Sequence, residues 1–345
     1  MTRATPGLIL TFAFCLFTFA FRVSGLPFTA GSRIETRMKA RVVFVVLCCI
    51  WGSTWMFIKL GLRDLPPLSF AAARFLLAAL ILATIAAARR APLPRGRGEW
   101  RLLAQTGVLA FTLNYGLVFW GEQHISSGLA ALLQATIPVF GMLIAHAYLP
   151  GERLNARKLA GALLGVAGVG VIFSNQLASE GRLALWGSAA IVVGALSVAW
   201  ANVLVKAKGK ALDPSVLAAG QMACGLVPLA AAGVALEGNP LGLRWTALAV
   251  VCLLYLTLVG SVAAFLLFYW LVRRVDVTKT MLIALVTPLA AVALGFVALG
   301  ERPEWRTLAG GALIISGIAL VVLRRAGRGE GAGVAPEVPA SGVEG

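Results

Sequence analysis

Charge is what this chain has little of. Asp, Glu, Lys and Arg make up 13% of its 345 residues, while hydrophobic types make up 59%. A soluble domain of this size would need far more charge to cover its surface, so the composition is that of a polytopic membrane protein. Acids are the scarcest, with 14 Asp and Glu against 30 Lys and Arg, for a net charge of +16. In a soluble chain that excess would suggest nucleic acid. Here the bases sit in short loops between apolar runs, where they meet lipid headgroups and set orientation, so no nucleic-acid partner is implied. The five cysteines (Cys15, Cys48, Cys49, Cys224 and Cys252) all lie in apolar runs and lack metal-ligand spacing. They read as small buried hydrophobes, and no metal or cofactor is called for. P-loop, HExxH and GxSxG motifs are all missing, so ATP hydrolysis and the commoner membrane hydrolase chemistries lack their residues. All acids fall in loops, tails or span ends. A dedicated proton relay would usually keep one at mid-membrane, so uniport is a serious option.

A helix needs about 20 apolar residues to cross the hydrocarbon core. Ten such runs are present: 42–62, 67–88, 102–121, 127–149, 158–174, 184–205, 214–236, 245–271, 280–299 and 307–323. Pro66–Pro67 and Asp213–Pro214 open spans 2 and 7, since proline is tolerated in a first helical turn and stops a preceding helix. Lys and Arg cluster at 33–41, 89–101, 153–158, 206–210, 273–279 and 324–328, against Lys59, Arg63, Arg182, Arg244, Arg302 and Arg306 at the opposite ends. The asymmetry places both ends of the ten-span unit in the cytoplasm.

The chain also repeats itself. Residues 151–170, "GERLNARKLAGALLGVAGVG", match residues 300–319, "GERPEWRTLAGGALIISGIA", at nine of twenty positions with an offset of 149. Trp51, Lys59 and Asp64 pair with Trp200, Lys208 and Asp213 at the same offset, and Pro138 pairs with Pro288 at 150. The predicted domains are a leader (1–37), repeat 1 (38–174, spans 1–5), repeat 2 (184–325, spans 6–10) and a disordered cytoplasmic tail (326–345). A five-span unit repeated in series must insert its second copy upside down. Inverted repeats are a transporter architecture, with the site at their interface.

The stretches "WGSTWMFIKLGL", "FAAARFLLAALIL", "SSGLAALLQATIPVFGMLIAHAYLPGERL" and "ALVTPLAAVALGFVALGER" resemble the EamA-type permeases of the drug/metabolite transporter superfamily, over roughly 41–323. The resemblance implies an all-α integral membrane fold of ten helices in two inverted five-helix repeats. It also implies a bacterial inner-membrane permease, often an exporter of amino acids, metabolites or drugs. It does not name a cargo. The expected partners are a small-molecule substrate, the lipid bilayer and a second copy of the chain. The alternative is a membrane-embedded enzyme or accessory subunit on the same scaffold, for which no acid, base or nucleophile set is visible.

Arg74 is the one charge well inside a span, about two turns or roughly 10 Å from the outer end. It either snorkels outward or faces the cavity and holds an anionic group. Its repeat mate is apolar (Ala223 or Cys224), and the family tends to carry Arg there. Lys59 is an interface anchor or, with Arg74, Glu122 and His124, part of an ion-pair gate at the outer mouth. Pro138 and Pro288 free backbone carbonyls at membrane depth, so Gln134, Thr136 and Thr287 beside them are candidate cargo contacts. A packing kink is the rival reading. Asn114, Tyr115, Trp120, Asn202, Tyr255 and Tyr269 are further candidates for the cavity wall, with interface-belt placement the rival for Trp120 and Tyr269. Glu152 and Glu301 are read as structural, capping the helix that follows each and pairing with Arg157 or Arg306. Three readings of the leader compete: a natural start at Met38, an uncleaved extra span, or a cleaved signal peptide around the "FTA" at 28–30.

Overall fold

A computed structural model describes residues 33–150, 155–175, 181–209, 212–272 and 283–322. The leader up to residue 32, the tail beyond 322 and Glu152 lie outside the described residues. All regular structure among the described residues is helical. In chain order it comprises α1 (Arg33–Gly61), α2 (Pro67–Ala88), α3 (Arg97–Gly107), a π-helical segment (Val108–Asn114) and α4 (Tyr115–His124). Then come α5 (Ser127–Gln134), α6 (Ile137–Tyr148), α7 (Ala156–Asn175), α8 (Arg182–Lys208) and α9 (Pro214–Glu237). The last part holds α10 (Ala247–Leu254), a second π segment (Tyr255–Ala263), α11 (Ala264–Val272), α12 (Ile283–Leu294), a third π segment (Gly295–Leu299) and α13 (Trp305–Val322). Among the described residues, eight helical runs are long and apolar enough to cross a membrane, and Val286–Leu299 and Trp305–Leu320 are shorter apolar runs.

Local chemistry sets the helix starts. α2 begins at Pro67 after an extended Pro66. α9 begins at Pro214, with the Asp213 carboxylate accepting from the Ser215 N–H at 2.8 Å. Ser126 and Thr246 cap α5 and α10 through their hydroxyls. These are the side chains that satisfy orphan N–H groups at helix starts, each worth about 1 kcal/mol. The single helix expected over 127–149 is broken. α5 stops at Gln134, Ala135 and Thr136 form a turn, and Pro138 sits in the first turn of α6, where its missing N–H costs nothing. Pro288, its repeat mate, lies inside α12 instead, and the Thr287 hydroxyl donates to the Ile283 carbonyl at 2.7 Å.

The two halves are interleaved. α1 packs against α12 and against α10 and α11, while α8 packs against α5 and α6 and against α3 and α4. The first helix of each half thus meets the third and fourth apolar runs of the other. α7 and α13 cross where glycine is required, because a Cβ at Gly168 would lie 2.5 Å from the Gly310 carbonyl oxygen and one at Gly317 would lie 2.5 Å from that of Gly161. These four glycines are two repeat-related pairs, meeting crosswise. In a bilayer, apolar burial drives little association, and small residues that let backbones touch do more. Leu80, Trp186 and Val227 project from the bundle's outer surface.

Candidate functional site

Arg74 does not snorkel. It is 3% exposed on α2, and its Nε donates to the Ser261 hydroxyl on the second π segment at 3.1 Å. The guanidinium lies 5.2 Å from the Phe75 ring centroid and 5.3 Å from that of Tyr115. Its Nη1 has no hydrogen-bond partner. Gly260 lies beside it and is required by Thr54 instead, since a Cβ there would lie 2.8 Å from Thr54 Cγ2 and only in ordinary contact, at 3.6 Å, with Nη2. The result is a buried cation with one nitrogen, Nη1, left without an acceptor, walled by aromatic faces that attract it.

Asn114 ends the first π segment and Tyr115 opens α4 beside it. Tyr115 packs on Phe75 with ring centroids 4.6 Å apart and on Phe111 at 5.8 Å. The Gln134 amide donates to Asn114 Oδ1 at 2.6 Å, both side chains being buried, and Gln134 Oε1 has no partner. Thr136 is buried and donates to the Leu133 carbonyl at 2.7 Å, which closes the turn between α5 and α6. Tyr255 starts the second π segment. Its hydroxyl is 2.7 Å from Ser53 Oγ and its ring stacks on Phe57 at 3.8 Å. Thr287 and Pro288 lie along α1, where a Cβ at Gly52 would be 3.4 Å from the Thr287 carbonyl. Asn202 is exposed on α8, away from this buried set.

At the end of the bundle where α1 terminates, Lys59 donates to the carbonyl oxygens of Glu122 at 2.6 Å and Ile125 at 2.7 Å. It therefore acts as a cationic cap on the C-terminus of α4 and satisfies carbonyls that α4 cannot. The Glu122 side chain is fully buried, and neither carboxylate oxygen has a partner. The His124 ring meets Trp120 edge-on at 4.9 Å. It also helps line a cavity of about 330 Å³ with Ser126, Arg302 and Glu304.

The carboxylate of Glu301 turns to the other half rather than to the helix that follows it. Oε1 accepts from the Ser127 N–H at 2.8 Å, and Oε2 accepts from the Ser127 hydroxyl at 3.0 Å and the Gly128 N–H at 3.2 Å, capping α5. Arg306, expected as its ion partner, lies against the Trp305 ring at 5.6 Å. Gly295 is needed beside it, because a Cβ there would collide with the Glu301 carboxylate. Two further acids at the same end make contacts that the sequence reading passed over. Glu237 accepts from the N–H groups of Leu68 and Ser69, each at 2.7 Å, and so caps α2. Asp64 accepts from the Thr246 hydroxyl at 2.5 Å. A usable signal existed for Glu237: α2 opens Pro-Pro-Leu with no capping side chain of its own, and its free N–H groups must find an acceptor.

The profile of the EamA-like transporter family matches the chain twice, at residues 38–174 and 185–323. The chain is similar to the uncharacterized transporter YoaV of Bacillus subtilis, at 28% identity over 81% of this chain and 96% of that protein. It is 31% identical to the uncharacterized inner membrane transporter YedA of Escherichia coli K12, over 80% of this chain and 88% of YedA. A probable terminal-alkyne amino-acid exporter of Streptantibioticus cattleyicolor is 29% identical over 84% of this chain and 95% of the exporter. One crystal structure shares the fold with a TM-score of 0.57 at 20% identity, covering 82% of this chain and 96% of that one. With two family matches that together span most of its length, this chain belongs to the EamA-like transporter family.

Proposed function

We propose that this protein is a secondary transporter that exports small metabolites bearing a carboxylate, such as amino acids, by alternating access across a bacterial inner membrane. The observation that carries the reading is Arg74, a buried guanidinium whose Nη1 has no acceptor, beside the faces of Phe75 and Tyr115. A planar cation with a free donor suits a carboxylate, and intramembrane charges mark cargo pathways. The adjoining pair of Asn114 and Gln134, with one amide oxygen open, adds a polar wall suited to an ammonium or hydroxyl group. Tyr255, Thr136, Thr287 and the two prolines frame the same pathway.

Ten spans in two inverted halves would be an architecture suited to alternating access. The crosswise packing of α1 and α8, and of the α7 and α13 glycines, supports that reading. The Lys and Arg distribution puts the Lys59 end outside and both ends of the ten-span unit in the cytoplasm. The amino-acid exporter among the relatives supports the cargo class. The test is efflux of preloaded, isotope-labelled amino acids from cells that overexpress the chain. Faster efflux with the wild type and background efflux with Arg74→Ala, at equal membrane levels, is the expected result. Wild-type rates in Arg74→Ala would overturn the assignment of Arg74, and no efflux above background with the wild type would overturn the cargo class.

A further inference from the structure

Glu122 has a setting that the cargo site does not use. It lies two residues before the end of α4, fully buried, and both carboxylate oxygens lack a hydrogen-bond partner. A carboxylate sealed from water without donors is one of the costliest groups a protein can carry, so something must compensate its charge. The charged groups close enough to act on it are Lys59 from α1, Glu301 from the segment before α13, and Arg74 from α2. Lys59 donates to main-chain carbonyls, Arg74 Nε to Ser261, and Glu301 is occupied by Ser127 and Gly128. α8 packs on α4 at Gly121 through Gly187 and Ile191 and adds no charge there. α5 contributes no titratable side chain, and His124 on α4 itself is turned to Trp120. No donor reaches the carboxyl group. A bound proton would remove the charge without any neighbour moving.

We propose that Glu122 is a proton-binding site that couples cargo export to proton entry. The inference rests on the transport reading above. When the Lys59 end opens, water reaches Glu122 and a proton binds as cargo leaves. Closure then buries the neutral acid, and opening at the opposite end releases the proton as new cargo binds. Arg74, within electrostatic reach of Glu122, links the two events: a bound cargo carboxylate takes up its charge, and an empty site leaves it to hold the deprotonated Glu122.

The experiment uses the full chain in proteoliposomes loaded with a mixture of isotope-labelled amino acids. A proton gradient directed opposite to cargo movement is expected to speed wild-type efflux several-fold. Glu122→Gln should give the same rate with or without the gradient, and Glu122→Asp should retain a response. Wild-type efflux indifferent to the gradient, or a wild-type response in Glu122→Gln, overturns the coupling. Movement of no labelled amino acid by the wild type sinks the transport reading and the coupling with it. The proton site is then decided separately, by infrared spectroscopy of the protein in membranes. A protonated-carboxyl C=O band at neutral pH should be present in the wild type and missing from Glu122→Gln, and an unchanged spectrum overturns the site.

Discussion

The two halves of the chain share their mechanics and differ in their chemistry. The π segment at Val108–Asn114, moved by 149 residues, falls inside the one at Tyr255–Ala263. Each carries a hydroxyl at the related position that reaches across to a neighbouring helix. Thr112 donates to the Gly225 carbonyl on α9 at 2.7 Å, and Ser261 accepts from Arg74 on α2. The glycine crossings are likewise duplicated. The polar cluster is not: the positions matching Arg74, Asn114, Tyr115, Glu122 and Gln134 hold Ala223, Ala263, Ala264, Leu271 and Ile283. Backbone irregularities and small residues are what two halves need in order to move against each other, so both copies keep them. A cargo is not symmetric, and one set of polar groups is enough to hold it.

The sharpest way to break the comparison is at Arg74. Arg74→Ala should abolish efflux at normal membrane levels, and Arg74→Lys should restore part of it, because a point charge replaces a planar fork. Adding Ala223→Arg to Arg74→Ala should restore nothing; recovered efflux would mean that the halves are interchangeable in chemistry too.

The mechanics predict the opposite pattern. Gly168→Ala and Gly317→Ala each drive a Cβ into a facing carbonyl. They should destabilise by similar amounts, about 1–3 kcal/mol, read by thermal unfolding in detergent. A large effect at one and none at the other would break the equivalence. A smaller loss is expected from Glu237→Ala and Glu301→Ala, each of which leaves helix-start N–H groups without an acceptor. About 1 kcal/mol apiece follows from cap removal, measured in the same way.

The prolines should give the smallest and most unequal effects. Pro288→Ala adds a donor inside α12 and should stiffen it, reducing turnover with folded protein retained. Pro138→Ala sits in a first turn, where a new N–H gains no helical bond, and should change turnover less. Equal effects would mean that the break before α6 and the proline inside α12 are used alike.

Much of the scaffold was legible in the sequence. Long apolar runs and Pro-Pro at 66–67 foretold the helices and the start of α2, and the likeness of 151–170 to 300–319 foretold the two copies that the family profile matches. Arg74 stood out because a charge in an apolar run must have a reason. The acids at the Lys59 end were harder to place. Glu237 and Glu301 look like ordinary loop residues, and their partners lie 169 and 174 positions away. Local rules assigned Glu301 to the next helix, and tertiary packing gave it to α5. The π segments left no compositional trace, since a shift of hydrogen-bond register requires no particular residue. Glu122 was read as a span-end residue facing the mouth, and only the packing of α8, α5 and α1 around it reveals that it is sealed.

The crosswise glycine contacts also set an order of events at birth. α7 leaves the ribosome about 150 residues before α13, on the order of ten seconds at typical synthesis rates. Throughout that interval the backbone face at Gly161 and Gly168 lacks the α13 glycines it meets in the finished molecule. The first half therefore waits in the bilayer as an unfinished surface, and docking of the last helix is the step that completes the molecule. Expressed as two separate polypeptides, the halves should each be short-lived alone and persist only when made together.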